Sequence, residues 1–206
     1  AAIQVGIDQV RQLKEQDCRI IATGEMGIGN TTTSSAVAAV LLGKRAEEVT
    51  GRGAGLSDEA LERKIQVIEK AISLHRPDWK DPVDVLKKVG GLDIAGLTGV
   101  FLGGVQYGIP VVVDGFISGV AALTAERLCP GCADFMLASH VSAEPAGEMV
   151  LNALGLTPVI RAGMCLGEGT GAVAALPLFQ MAADVYSRMS TFQENSLEEY
   201  QEFSHA

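Results

Sequence analysis

Gly24-Glu25-Met26-Gly27-Ile28-Gly29-Asn30-Thr31-Thr32-Thr33 stands between two patterned segments. Before it runs Cys18-Arg19-Ile20-Ile21-Ala22-Thr23, a short buried-strand pattern. After it runs Thr31 to Leu42, small and apolar residues with the look of a buried helix, and Gly43 suits the helix end. Strand, glycine loop and helix in that order form the unit from which α/β domains are assembled. Glycine lets backbone N–H groups come close to a ligand and point at its oxygens, and the helix N-terminus behind the loop favours an anion. A second stretch, Gly167-Glu168-Gly169-Thr170-Gly171, follows Met164-Cys165-Leu166 and precedes another helical pattern. Each loop carries a glutamate, and a carboxylate is better suited to taking a proton than to holding an anion. An anion cradle edged by carboxylates suggests a transferase that works on a phosphorylated small molecule.

Outward from these loops the same alternation continues. Ile3, Ile7, Val10 and Leu13 give a helix over 2–16, with charges on its other side. Gly51-Arg52-Gly53-Ala54-Gly55 precedes Ser57, which caps a helix with Asp58 and Glu59 in its first turn and Leu61, Ile65, Ile68 and Ile72 as its apolar stripe. Asp81-Pro82 opens the next helix and Gly90-Gly91 closes it. The segment 93–107 carries Gly96, Gly99, Gly103 and Gly104 and is suited to very close packing. Ile109 to Asp114 is the clearest strand, followed by a helix over 116–128, a strand over 134–139, a helix over 144–154, a weak strand over 157–160 and a long helix over 172–189, with Pro177 as a kink. The predicted fold is α/β, with a mainly parallel, Rossmann-like sheet flanked by helices. In such sheets ligands bind beyond the carboxyl ends of the strands, where the Glu25 loop, Asp114 and Ser139-His140-Val141-Ser142 would meet. No repeat or linker divides the chain, and the acidic end over 194–206 reads as an arm.

Two well-known phosphate motifs fail on residues with mechanical roles. Gly24 and Gly29 have triphosphatase-loop spacing, but Asn30 stands where that motif needs lysine. Gly27 and Gly29 fit the dinucleotide fingerprint, but Thr32 replaces its third glycine. A monophosphate cradle survives, made of backbone N–H groups with the hydroxyls of Thr31 and Thr32; the competing reading is a plain strand-to-helix turn. Lys64 supplies the missing charge if its helix folds back over the loop, and is otherwise a solvated surface lysine. Asp114 is open between a helix cap and a ligand contact. Apolar neighbours would raise the Glu168 pKa, and a helix N-terminus would lower it. His75 and His140 read as isolated.

The remaining composition narrows the partners. Net charge is -9, and no basic run of five appears, which argues against nucleic acid and anionic membranes. Ile94 to Val105 is too short and too glycine-rich to span a bilayer. Cys129-Pro130-Gly131-Cys132 has redox-motif spacing, but that spacing alone is weak and a turn between helix and strand is the better reading. No signal-peptide pattern is read at the start, and with the cysteines taken as reduced thiols a cytoplasmic location is expected.

Taken together, the Gly24–Thr32 loop, Gly51–Gly55, Val113-Asp114-Gly115 and Cys165-Leu166-Gly167-Glu168-Gly169-Thr170-Gly171 resemble the nicotinate-nucleotide–dimethylbenzimidazole phosphoribosyltransferase family, in order and over essentially the whole chain. The resemblance implies transfer of phosphoribosyl from nicotinate mononucleotide to 5,6-dimethylbenzimidazole, giving α-ribazole phosphate and nicotinate with inversion at the anomeric carbon. It implies Glu168 as general base and Glu25 as an active-site acid. Gly27, Gly29, Asn30, Thr31 and Lys64 fall on the phosphate side, Leu166 and Gly167 beside the nicotinate and base pockets, and Asp114 and Ser142 are further binding residues. No metal or cofactor is expected, because the quaternised pyridine is already an activated leaving group. A homodimer is implied. Family members are longer, so the chain is expected to be a single α/β domain over 1–206 that lacks an N-terminal portion, with 172–206 as part of a small helical domain. The alternatives are a non-catalytic nucleotide-monophosphate-binding fragment without its acceptor pocket, and a nucleotide hydrolase using water.

Overall fold

The computed structural model describes residues 1–198 and divides into two units, Ala1–Ala175 and Leu176–Ala206. In the first unit the expected alternation is present. Helices α1 (Ala2–Glu15), α2 (Asn30–Leu42), α3 (Ala46–Val49), α4 (Asp58–His75), α5 (Pro82–Val89), α6 (Leu92–Tyr107), α7 (Phe116–Leu128) and α8 (Gly147–Leu154) surround short strands. Strands β1 (Ile21–Ala22), β2 (Val111–Val113) and β3 (Met136–Ala138) form a parallel sheet in that order. Strands β4 (His140–Ser142) and β5 (Ile160–Met164) form a second parallel pair. Helix α9 (Thr170–Arg188) begins in the first unit.

Local chemistry explains the helix ends. The Ser57 hydroxyl accepts the Ala60 N–H, and the Asp81 carboxylate accepts those of Val83 and Asp84 ahead of Pro82. Helix α7 is buried along Phe116–Ala125 and so lacks an amphipathic stripe. Beside it β2 is three buried valines, as expected of a central parallel strand. The glycines of α6 serve close packing within the chain. A Cβ at Gly99 would lie 1.9 Å from the Ile3 carbonyl oxygen in α1, and one at Gly6 would lie 2.0 Å from that of Gly96.

Several expected boundaries differ. The strand expected over 18–23 pairs only from Ile21, because the Cys18 N–H instead closes the end of α1 on the Leu13 carbonyl. The first half of the strand expected over 134–139 is a 3₁₀ turn, Cys132–Phe135, held by the Glu126 carboxylate on the N–H groups of Gly131 and Ala133. Helix α8 starts at Gly147, not Glu144, and the strand expected over 157–160 runs instead over Ile160–Met164, where exposed Arg161 and Gly163 hide the pattern. The Cys129–Cys132 stretch is a turn with free thiols. The part of the second unit that is described continues α9 with Pro177 inside it, then turns at Thr191–Glu194. The last part of the predicted arm, 199–206, lies outside the described residues. Among the described residues no helix is long and apolar enough to cross a membrane.

Candidate functional site

The strands of the main sheet run one way, so Thr23, Asp114 and Ser139 emerge at one edge. There the loops enclose a cleft of about 480 Å³. Glu25, Gly27, Thr31, Ser142, Leu166, Gly167 and Glu168 line it, so seven residues singled out from sequence come together. The two glutamate loops touch directly. The Glu168 N–H donates to the Glu25 carbonyl at 3.0 Å. A Cβ at Gly24 would lie 2.5 Å from the Gly169 nitrogen, so only glycine permits this approach.

Glu168 itself has a left-handed backbone, φ 58°, between Gly167 at 76° and Gly169 at 78°. A glutamate in that region carries strain that its surroundings must hold in place. Asp114 does part of this. Buried, it accepts the Gly169 N–H at 3.2 Å and the Ala172 N–H at 2.9 Å. It is therefore a helix cap, of α9 rather than of the helix that follows it in sequence, and both of its oxygens are engaged away from the cleft. Thr170 closes the turn on the Gly167 carbonyl at 2.7 Å.

The Glu25 carboxylate accepts the Gly27 N–H and the Asn30 amide, the latter at 2.8 Å; the same amide reaches Asp93 at 2.8 Å. Asn30 thus braces Glu25, and its amide nitrogen is shared between the two carboxylates. Gly29, in left-handed conformation, precedes α2, and no side chain caps that helix. Its first N–H groups keep their partial positive charge for a ligand. Lys64 does fold back over the first loop. Its ammonium donates to the Thr31 hydroxyl at 3.0 Å and the Gly51 carbonyl at 2.9 Å, and burial lowers its pKa, partly offset by Glu144. Lys64, Gly29, Asn30 and Asp114 stand behind the lining, not in it.

Sequence reasoning missed Asp93 and Glu144 here, and placed His140 at the strand edge but read it as isolated. Asp93 braces Asn30. Glu144 lines the cleft and accepts the Gly53 N–H at 3.2 Å, tying down the second glycine loop. His140 also lines it, with Nδ1 2.9 Å from the Ser139 hydroxyl. Burial lowers the His140 pKa, and Asp114 opposes that. The available signal was position alone: all three lie within a few residues of a glycine turn or a strand end.

The fold and cleft define an open, parallel-sheet α/β protein with its ligand cleft beyond the strands' carboxyl ends. The particular family follows from its relatives: residues 1–197 match the model of a family described as phosphoribosyltransferase, and the chain belongs to that family. It is 53% identical over 200 residues to nicotinate-nucleotide–dimethylbenzimidazole phosphoribosyltransferase of Acetivibrio thermocellus, covering 97% of this chain and 57% of that protein. With the protein of the same name from Chloroflexus aggregans it shares 49% identity, over 98% of this chain and 57% of the relative. The crystal structure of CobT from Thermus thermophilus superposes with a TM-score of 0.90 at 40% identity, over 97% of this chain and 59% of that one. The chain thus spans little more than half the length of the curated relatives it matches.

Proposed function

We propose that this chain carries the nucleotide side and the catalytic base of a transferase moving phosphoribosyl from nicotinate mononucleotide to 5,6-dimethylbenzimidazole. The observation that carries the reading is the direct contact of the two glutamate loops across one cleft, with Lys64 and the start of α2 at its other end. The phosphate binds at Thr31, Gly53 and the first N–H groups of α2, with Lys64 supplying charge from behind. Exposed Met26, Ile28 and Leu166 offer apolar surface for the aromatic rings.

One benzimidazole nitrogen uses its lone pair to form the bond to the anomeric carbon. The bond from that carbon to the pyridine nitrogen breaks on the opposite face, and its electron pair leaves with nicotinate. Attack opposite the leaving group turns the β-nucleotide into the α-product. The proton on the second benzimidazole nitrogen passes to the Glu168 carboxylate. Glu25, held by Asn30 and the Gly27 N–H, adds negative charge beside the ribose, where positive charge develops in the transition state.

Nicotinate release from the two substrates tests this. Glu168→Gln is expected to cut base-dependent release by at least about 100-fold with nucleotide binding largely kept. Near-normal turnover removes Glu168 from the base role. A chain that binds the nucleotide but never releases nicotinate supports the binding-fragment reading. The whole protein is proposed to be a cytoplasmic homodimer, with 172–206 contributing to a helical domain. Exposed Met181, Val185 and Tyr186 on α9 support an apolar contact there, and sedimentation equilibrium tests it.

A further inference from the structure

The protonation of His140 can be read from its neighbour. Ser139 has one hydroxyl proton, and its oxygen lies 2.6 Å from the Val113 carbonyl and 3.0 Å from the Asp114 carbonyl. That proton is committed to the backbone. The 2.9 Å contact between the same oxygen and His140 Nδ1 therefore needs Nδ1–H as donor. In the neutral ring Nε2 is then a bare acceptor. Nε2 takes part in none of the hydrogen bonds among the described residues, and it lies beside Gly115 at the cleft. The ring cannot swing away freely, because a Cβ at Gly171 would lie 2.0 Å from Nδ1, so the backbone packs directly on it.

An acceptor at this point selects among the groups of the two substrates. Phosphate and nicotinate carboxylate are themselves acceptors. Only the benzimidazole N–H and the ribose hydroxyls can donate, and the N–H faces Glu168. His140 also lies midway. Ser142, at the end of its strand, and Glu144, just beyond it, lead to the Gly53 loop, while Gly115 and Gly171 lead to Glu168. The ribose joins the phosphate to the reacting carbon and so occupies the middle.

We propose that His140 reads the sugar: Nε2 accepts a hydrogen bond from a secondary hydroxyl of the bound nucleotide's ribose, which makes it a specificity residue of the site. This rests on the nucleotide reading above. It fixes how the ring is turned and presents the anomeric carbon, and it selects ribonucleotides over deoxy analogues, because a missing hydroxyl leaves Nε2 unpartnered.

Calorimetric titration of the chain with nicotinate mononucleotide and its 2′-deoxy and 3′-deoxy forms tests the assignment. The wild-type chain is expected to bind at least one deoxy form about tenfold more weakly. His140→Asn keeps a partner for Ser139 but no acceptor at Nε2, and is expected to bind all three alike. His140→Gln returns an acceptor near the ring's far edge and is expected to recover part of the discrimination. Equal binding of all three by the wild-type chain overturns the proposal without any variant having to fold. Discrimination that survives in His140→Asn overturns it too, and either result leaves the nucleotide reading standing. If the wild-type chain binds no nicotinate mononucleotide, that reading falls and takes this one with it.

Discussion

Lys64 illustrates how one buried cation responds in opposite ways to binding and to folding. Burial disfavours its charged form, so its folded pKa lies below the ordinary value of 10.5. At the proposed phosphate site, anion binding draws on that charge. Affinity for a phosphorylated ligand is expected to fall as pH rises through the lowered pKa, and Lys64→Gln is expected to bind weakly at all pH values without this dependence; titrations across the alkaline range check both. Stability moves the other way. Between the lowered and the ordinary value the unfolded chain holds more protons, so the melting temperature is expected to rise with pH in that window. Cys132 is a simpler case. Burial pushes its thiol up to about 12, so in the folded chain a thiol reagent at about pH 8 is expected to reach Cys129 and Cys165 but not Cys132, as peptide mapping would read. At this scale the sequence was partly legible. Glu25 and Glu168 stood out because glycines surround them, and Thr31 because its hydroxyl sits at the start of the helix behind the first loop. His140 did not, since its partner Ser139 is an adjacent residue whose proton is committed by contacts with another strand.

At the scale of elements, helices with a cap residue or a glycine at an end were readable: α4 starts behind Ser57 and α5 lies between Asp81 and Gly90 as expected, and α9 lies within two residues of expectation. Strands were less so, because two to five residues hold too little periodicity to fix their ends. Strand β5 was displaced for that reason, and β4 falls between the strand expected over 134–139 and the helix expected over 144–154. The glycines of α6 were read correctly as a close-packing face. Gly99→Ala forces a methyl into the α1 backbone, and is expected to cost at least about 2 kcal/mol in chemical denaturation. Asp114→Asn replaces one of two accepting oxygens with a donor that faces an N–H, and is expected to cost about 2 kcal/mol and to lower turnover by loosening the Glu168 turn.

At the scale of the molecule, the parallel sheet decides where the cleft lies. The alternation of strand and helix made that edge predictable before any contact was known. Which loops touch was not, because the Glu25 and Glu168 loops are joined by backbone groups that carry no residue signature. The same geometry gives a test of occupancy: exposed Cys165 lines the cleft, so bound nicotinate mononucleotide is expected to slow its modification while Cys129 reacts as before.

With Glu168 in its proposed role as base, its left-handed backbone sets heat resistance against chemistry at a single codon. Glu168→Gly relieves the strain and is expected to raise stability by about 1 kcal/mol, roughly 3 °C in melting temperature, while Glu168→Gln, with the same backbone demand, gains nothing of the kind. Both are expected to lose turnover. A lineage selected for thermal endurance alone would drift toward glycine at 168, so retention of glutamate there under such selection measures how strongly the reaction is still required.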